Sequence, residues 1–359
     1  MYYQSRTETI KAGGYWDAIS APQPKGQFSN AVDYLSELGG RVAEWALYFF
    51  TWLADCIYAT GITHAWSNLK VTVVDSLLKR VYKAFPSEKQ TDVAGGSFLT
   101  NESVNKNYQT QLEICNGTIS QAGLAASQTK VEIDSEISLD GIMIKSSRKL
   151  SASAKWILYF LPYHSYWEFS ADDLIQLHKN SKANILCYNY RGLGRSSGMR
   201  STCEQSDIDD GCEIVTQILH NSSIKIAQLA LYGKVYGSHV ALSVARQLTL
   251  TNNMAIPVIA ERAHSSIKTL YREKSPIFSR IAAPLLSLLG WKLDTQKSLC
   301  NLRSHVLHIR LKNDPLIPHE ASLHKPYDGD EFTGKFIEKS GDTIASGQKK
   351  VTEMFPYTI

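Results

Sequence analysis

The stretch Gln228 to Leu248, QLALYGKVYGSHVALSVARQL, decides how the rest of the chain is interpreted. It opens with a short apolar run, passes through Gly233 and Gly237, and ends in an apolar pattern of helical length. This layout predicts a strand, a sharp turn and a helix. It is typical of the G-x-S-x-G nucleophile elbow, in which a serine lies on a strained turn after a strand. The middle residue here is Val235, so the motif has its glycines without its nucleophile.

The composition is that of a globular protein. The chain has 359 residues, of which 43% are hydrophobic and 20% are charged, and its formal net charge is only +4. This small charge predicts no nucleic-acid partner. Six scattered cysteines without a C-x-x-C pair predict reduced thiols rather than a metal site or a disulfide framework, and no cofactor is predicted. The first 20 residues lack a basic region followed by an apolar run, so no conventional signal peptide is predicted.

The N-terminal part is predicted to contain three segments: a loose polar leader at 1–27, a helical region at 28–86 and a polar linker at 87–130 with one short helix. Within the helical region, Val42 to Ile62 is almost entirely apolar but contains Asp55. An aspartate inside a spanning helix costs about 2.5 to 3.5 kcal/mol, which argues against a simple membrane span. A helix covered by the core or by a partner, a membrane-surface helix and a span remain alternatives.

Residues 66–85 repeat apolar positions at a spacing of four, from Leu69 to Phe85, with lysine and arginine on the other side. This pattern predicts an amphipathic helix with a basic face. Such a helix either covers a core with its lysines in solvent or docks on a membrane surface. Together with the apolar segment before it, the region 42–85 is therefore the candidate for membrane contact.

From residue 131 to 359, strand and helix patterns alternate, which predicts an α/β fold with a mostly parallel sheet and helices on both faces. The segment 131–147 is interpreted as two strands with Asp140-Gly141 as the turn between them. Further strands are predicted at 156–161, 184–190, 228–232, 255–260, 305–311 and 335–338. Helices are predicted near 169–178, 208–219, 236–248 and 277–290.

Four loops follow predicted strands and fit one kind of site. They are the elbow itself, the glycine-rich loop RGLGRS at 191–196, the loop Pro162-Tyr163-His164 and the loop NDPLIP at 313–318. Backbone N–H groups near Tyr163 and His164 are candidates for an oxyanion hole, with Tyr236 beside them. Asp314 is the candidate acid that would orient a histidine, although an aspartate there can also cap the next turn.

In this order, the loops resemble those of the α/β-hydrolase fold and, more narrowly, of the chlamydial 43 kDa protein family and related Legionella effector proteins. The resemblance lies in WILYFLPYHSYWEFS, CYNYRGLGRSSG, LYGKVYGSHVAL, ERAHSS and NDPLIP, and it covers about 150 to 320. It implies a bacterium that lives inside host cells and, where the triad is intact, a serine-hydrolase site. Export to a host cell without a conventional signal peptide is compatible with it.

The chain departs from this pattern at two of the three catalytic positions. The resemblance implies serine at the position of Val235, and valine has no nucleophilic atom. It also implies a histidine after the last strand, where the chain has Asp342. An elbow residue adopts positive φ, which is an outlier for a β-branched side chain, so the turn is expected to be either relaxed or strained. Ser238 is an alternative nucleophile, and His164 or His264 an alternative base.

The leading hypothesis is a pseudo-hydrolase that has lost Ser-His-Asp chemistry and acts by binding a protein partner, a lipid or a membrane. One alternative is an active esterase or lipase-type hydrolase with a non-standard nucleophile. Another is a membrane-associated structural protein that depends on Val42 to Ile62. The hypothesis places the protein in the cytoplasm or at a membrane.

Overall fold

The computed structural model describes residues 70–78, 102–146, 154–163, 165–221, 224–274, 276–299, 302, 304–311, 314, 316–323 and 335–339. The chain divides into two compact units, Met1–Asn68 and Leu69–Ile359, and every described residue belongs to the second. The predicted leader at 1–27 and the apolar segment Val42 to Ile62 lie outside the described residues. Within the described part of the chain, no helix has the length and apolar character that a membrane crossing needs.

The described residues form one sheet of eight strands in the order β1-β2-β4-β3-β5-β6-β7-β8. The strands β1 and β2 pair in an antiparallel manner, β2 is antiparallel to β4, and the remaining pairs are parallel. The bounds are β1 Leu124–Glu132, β2 Ser138–Ser146, β3 Trp156–Phe160, β4 Asn184–Tyr188, β5 Leu229–Lys234, β6 Val258–Glu261, β7 Val306–Leu311 and β8 Lys335–Lys339. The predicted fold class, a mostly parallel sheet with helices, is confirmed.

The central strands are buried on both faces. All residues of β4 and β6 are buried, and β5 is buried except for its last residue, Lys234. A strand with no exposed side chain needs cover above and below the sheet, which is why these strands have continuous apolar sequences instead of alternating ones. The carboxyl ends of β3, β5, β6 and β7 meet at one edge of the sheet, and the predicted loops leave from that edge.

The helices are α1 at 70–78, α2 Glu102–Gln121, α3 Ala171–Ser181, α4 Glu204–Asn221, α5 Tyr236–Asn252, α6 Ile267–Lys274, α7 Pro276–Leu288 and α8 Thr295–Leu299. The 20-residue α2 lies within the segment predicted as a linker with one short helix, and β1 begins there as well. Helices α6, α7 and α8 form an insertion between β6 and β7. Buried residues of α1 belong to the same hydrophobic core as the sheet.

The prediction of a turn at Asp140-Gly141 is wrong, because both residues lie inside β2. The turn is at 133–137, where the Asp134 carboxylate accepts the backbone N–H groups of Glu136 and Ile137 at 2.8 Å each. Gly141 instead allows close strand pairing, since a Cβ there would lie 2.5 Å from the Cys187 carbonyl oxygen. An Asp-Gly pair therefore indicated a turn where the chain uses the glycine for packing.

Candidate functional site: a hydrolase-like elbow without its nucleophile

The elbow has the strained backbone that the motif requires. Val235 lies between β5 and α5 at φ 57° and ψ −107°, so the sharp turn is kept with a β-branched residue at positive φ. Of the two outcomes expected from the sequence, a relaxed or a strained turn, the structure has the strained one. Such a residue costs on the order of 1 to 3 kcal/mol and persists only where its surroundings determine the backbone.

Both elbow glycines are required by close packing. A Cβ on Gly233 would lie 2.1 Å from the Gly237 carbonyl oxygen, and a Cβ on Gly237 would lie 2.1 Å from the Phe160 carbonyl oxygen. Real Cβ atoms do not approach oxygen so closely, so helix α5 can reach β3 and β5 only with glycine at these positions. The turn is thereby held by two neighbouring strands.

The residues in the elbow are fully buried, and their side chains serve packing. Val235, Tyr236 and Ser238 are each 0% exposed. The Ser238 hydroxyl lies 2.7 Å from the Gly233 carbonyl oxygen and 2.8 Å from the Glu261 carbonyl oxygen, so its single proton is shared between two acceptors. A hydroxyl held in this way bridges β5, β6 and α5, and both of its acceptors are backbone carbonyl oxygens.

An aromatic cluster lies against the elbow. The rings of Tyr163 and Tyr236 meet edge to face at 5.2 Å, and Trp291 lies 6.0 Å from Tyr163 and 6.2 Å from Tyr236. Tyr190 adds a further edge-to-face contact to Tyr236 at 5.7 Å. Three loops and the elbow helix contribute to this cluster, whose ring from the elbow, Tyr236, directly follows Val235 in the chain.

Tyr236 is anchored by a buried carboxylate. Its hydroxyl donates to Asp207 Oδ2 at 2.6 Å, and the Ser201 hydroxyl donates to the other oxygen. Burial raises the pKa of Asp207 to about 6, although these two hydrogen bonds oppose the shift. Asp207 lies at the start of α4, so it connects the glycine-rich loop region to the elbow.

The oxyanion-loop candidate Tyr163 is engaged by helix α1. Its hydroxyl donates to Asp75 Oδ1 at 2.6 Å, and Arg200 forms an ion pair with the same carboxylate. Burial and the neighbouring Asp75 raise the pKa of Tyr163 well above its ordinary value, so the phenol keeps its proton. His164, the other predicted oxyanion-loop residue, lies outside the described residues.

The retained acid, Asp314, has an arginine as its partner. Arg262 Nε donates to Asp314 Oδ2 at 2.7 Å, and a second guanidinium nitrogen donates to Oδ1. Oδ1 also accepts the backbone N–H groups of Leu316 at 2.8 Å and Ile317 at 3.2 Å. The carboxylate therefore combines a two-point ion pair with a turn, and the alternative in which the aspartate caps the next turn describes part of its role.

His264, the one candidate base among the described residues, does not form a hydrogen bond with Asp314. His264 is fully buried and its ring stacks on His239 at 6.5 Å. Burial, followed by His239 and Lys274, lowers the pKa of His264 to about 3, which makes it a poor base. His239 is also buried, with Nδ1 3.1 Å from Thr295 Oγ1. Asp342, which occupies the position predicted for the base, lies outside the described residues.

A second charged network lies at the carboxyl ends of β5 and β6. Lys234 Nζ donates to Asp173 Oδ2 at 2.6 Å, and Lys234 pairs in register with Glu261. Tyr232 donates its hydroxyl to Glu261 Oε2. Burial lowers the pKa of Lys234, but Glu261 and Asp173 outweigh it, so the ammonium stays charged. Among the described residues, no cluster of three or more His, Cys, Asp or Glu is arranged to hold a metal ion.

The sequence patterns thus indicated the elbow, the acid loop and the aromatic neighbours, whereas three charged residues were not predicted. Arg262, Asp75 and Arg200 each pair with a predicted site residue or with its partner. Asp75 falls four residues before Lys79, in the polar row of the amphipathic pattern at 66–85, so the sequence pattern did not mark it as buried. Arg262 and Arg200 lie in loops, where sequence spacing does not predict a partner.

The strand order, the strained elbow and the acid after β7 define a protein of the α/β-hydrolase fold. Comparison of the sequence with known families identifies one match, the family described as Chlamydia CHLPS protein (DUF818), over residues 85–317. Because this match spans more than half of the 359 residues, the chain belongs to that family. No curated protein sequence matches the chain significantly.

Solved structures with a similar fold are esterases and related hydrolases. An alpha-beta hydrolase from Vibrio vulnificus has a TM-score of 0.50 at 14% identity, over 78% of this chain and 90% of its own. An esterase from Pyrobaculum calidifontis has a TM-score of 0.46 at 11% identity, over 77% and 95% of the two chains. At these identities the likeness extends to the fold alone.

Proposed function

We propose that this protein is a pseudo-hydrolase, which keeps the α/β-hydrolase scaffold without Ser-His-Asp chemistry and acts by binding. The observation that carries the proposal is Val235 at the strained elbow position, 0% exposed and packed by the elbow glycines. A nucleophilic hydroxyl or thiol is required to begin acyl transfer, and a valine side chain has neither.

The arrangement around Val235 supports the same conclusion. Asp314 is held by Arg262, so orienting a histidine would require it to exchange a two-point ion pair for a weaker single hydrogen bond. The neighbouring Tyr236 is packed edge to face against Tyr163, the candidate residue of the oxyanion loop. At Ser238 and Asp314, the polar groups considered for chemistry are thus engaged in structural contacts.

Covalent labelling tests the loss of chemistry. Wild-type protein and the variant Ser238→Ala are incubated with a fluorophosphonate probe, and labelling is measured by intact mass. The proposal expects no stoichiometric label on either protein and no turnover of short acyl esters above the buffer rate. Stoichiometric labelling of the wild type would overturn it, and loss of that label in Ser238→Ala would support the alternative of an active hydrolase with a non-standard nucleophile.

The binding role rests on the N-terminal region, and we propose a membrane or lipid surface as its first partner class. The support is the sequence of 42–85, where an apolar segment precedes an amphipathic helix with a basic face. Co-sedimentation with vesicles of zwitterionic lipid, with and without anionic lipid, measures this role in the full chain and in a deletion of 42–62. If the full chain and the deletion variant sediment equally with vesicles, segment 42–62 does not bind lipid, and a protein partner would be the expected ligand.

The predicted resemblance to Legionella effector proteins stays a prediction, as does export to a host cell. Both follow from motifs rather than from any contact in the described residues. Membership of the Chlamydia CHLPS family is the part that the comparison supports directly. Fractionation of infected cells with an antibody against the protein would measure its location.

A further inference from the structure

Two buried histidines lie between the elbow helix and the insertion that separates β6 from β7. His239 lies one turn into α5 and is 2% exposed, and His264, after β6, is 0% exposed. Their rings stack at 6.5 Å. Burying an imidazole is costly unless its nitrogens have polar partners, so the groups around this pair indicate what it does.

The two nitrogens of His239 face polar groups from two other elements. Nδ1 lies 3.1 Å from the hydroxyl of Thr295 at the start of α8. Nε2 lies 3.4 Å from Oε2 of Glu204 at the start of α4. The same Glu204 oxygen accepts the backbone N–H of Leu293 at 2.5 Å. Glu204 therefore connects α4 to the residues just before α8, and His239 brings the elbow helix to the same carboxylate.

The charge of His239 decides whether both of its nitrogens are satisfied. A neutral imidazole has one N–H group and one lone pair. Nε2 is fully buried and forms no hydrogen bond with the described residues, although the Glu204 oxygen is 3.4 Å away. When the ring carries two protons, Nδ1 donates to Thr295 and Nε2 donates to Glu204. A charge-assisted hydrogen bond is then formed at a nitrogen that is otherwise without a partner.

The second imidazole does not compete for this proton. Burial, followed by His239 and Lys274, lowers the pKa of His264 to about 3, so His264 stays neutral at neutral and mildly acidic pH. Histidines as a class change charge between pH 5 and 8. In the stacked pair, the proton therefore belongs on the ring that faces a carboxylate.

Two other ionisable groups lie near His239 on α4 and α5. The Tyr236 ring is 6.4 Å from His239, and burial raises the pKa of its phenol well above the ordinary value, so the phenol keeps its proton. Asp207 accepts the hydrogen bond from that phenol, and burial raises its pKa to about 6. Because Asp207 changes charge in the same pH range, an experiment has to separate its effect from that of His239.

We propose that His239 and Glu204 form a proton-dependent clamp, which fastens residues 291–299 to the elbow helix α5 more firmly in an acidic medium than at neutral pH. The ion pair exists only while His239 carries its second proton, so its contribution is present at low pH and is lost as the pH rises. The hydroxyls of Ser243 and Ser298 lie 2.9 Å apart and connect α5 to α8 in either state. The clamp therefore changes how strongly the insertion is attached, and it does not require that α8 leaves its place.

A double-mutant cycle at two pH values tests the clamp. Denaturant unfolding of the full chain is measured at pH 5.5 and pH 8 for the wild type, His239→Gln, Glu204→Gln and the double variant. The coupling, expressed as a ratio of unfolding equilibrium constants, should be about tenfold or more at pH 5.5 and less than about threefold at pH 8. Asp207 titrates in all four proteins, so its own effect cancels in the cycle. A coupling that is equal at the two pH values, or larger at pH 8, would overturn the proposal.

The control cycle uses Arg272 and Glu273, an ion pair without an imidazole, and its coupling should be the same at both pH values. Hydrogen exchange of the wild type provides a second test that does not depend on the folding of a variant. The protection factors of the amides at 291–299, divided by those of α3, should be at least about fivefold higher at pH 5.5 than at pH 8. An unchanged or lower ratio would contradict the clamp. Neither experiment measures ester hydrolysis or covalent labelling, so their outcome is independent of the proposed loss of catalysis.

Discussion

The elbow and the acid loop each resemble a serine-hydrolase site in a different way: the elbow by its backbone, and the acid loop by its side chain. The elbow has the backbone, with Val235 at φ 57°, but lacks the nucleophile. The acid loop has the carboxylate of Asp314 but pairs it with Arg262. The strained turn is held by packing of α5 on β3, which is needed whether or not chemistry occurs. The carboxylate is held by Arg262 and by two backbone N–H groups of its own turn, so its role depends on a side-chain partner that the elbow does not need.

The largest effect is expected from a substitution that prevents the close contact between Gly237 and the backbone of Phe160. Gly237→Ala would place a Cβ 2.1 Å from the Phe160 carbonyl oxygen, and backbone atoms would have to move. We expect a loss of about 4 kcal/mol in the free energy of unfolding, measured with chemical denaturant.

Gly117→Ala is the control for this prediction, because a Cβ there would have no atom within 4 Å. In helix α2 this change should stabilise the protein by up to about 1 kcal/mol. Equal stability of the two variants would show that the backbone at the elbow can move to accept a Cβ at Gly237. The conclusion that close packing holds the elbow turn would then be wrong.

The acid loop is broken by removing the arginine. Arg262→Met leaves the Asp314 carboxylate buried without its guanidinium partner, and we expect a loss of about 3 kcal/mol at neutral pH. Arg272, which is exposed and pairs with Glu273, provides the control, since Arg272→Met should change stability by less than about 1 kcal/mol. Denaturant unfolding measures both, and a negligible effect of Arg262→Met would mean that Asp314 depends mainly on the backbone N–H groups of its turn.

The stability of the elbow region is expected to depend on pH through Asp207, a buried carboxylate that binds Tyr236. Asp207 has hydroxyl partners in place of an arginine, and burial raises its pKa from an ordinary 3.8 to about 6. The folded state therefore binds the proton more tightly than the unfolded state does. The resulting stability is present in full below pH 3.8 and is lost as the pH rises to about 6, by roughly 2 to 3 kcal/mol.

Asp207→Asn should remove this part of the pH dependence, which is measured as the difference between the unfolding curves of variant and wild type from pH 3.5 to 7. Glu168, whose pKa burial raises to about 7, should keep its own contribution in both proteins. Parallel curves for Asp207→Asn and the wild type would contradict the assignment. Asp172→Asn, at an exposed site, serves as the matched control.

The smallest expected effect concerns strain at Val235. A protein with alanine at a buried site is normally more stable than the same protein with glycine there, because glycine loses more backbone entropy on folding. At φ 57° this order should reverse, and Val235→Gly should be more stable than Val235→Ala by about 1 kcal/mol. Denaturant unfolding of the two variants measures the difference. The usual order would show that the positive φ costs less than the entropy of glycine.

Several elements were predictable because their signal is local. The continuous apolar runs at β3, β4 and β5 predicted buried strands, and the spaced glycines at 233 and 237 predicted the turn between strand and helix. In contrast, the pair Asp140-Gly141 was misread as a turn, because only the pairing of β2 with β4 shows that Gly141 has to admit the Cys187 carbonyl. The same local signal has two structural causes, and the sheet decides between them.

The sequence alone determined the fold class and the absence of a nucleophile at the elbow, since both depend on residue type and short spacing. Tertiary structure alone decided how the polar site residues are used. The partner of Asp314 is 52 residues away at Arg262, and the partners of Asp75 are 88 and 125 residues away at Tyr163 and Arg200. Hydrogen bonds and ion pairs form between groups that the fold brings within about 3 Å, and no local pattern encodes that distance.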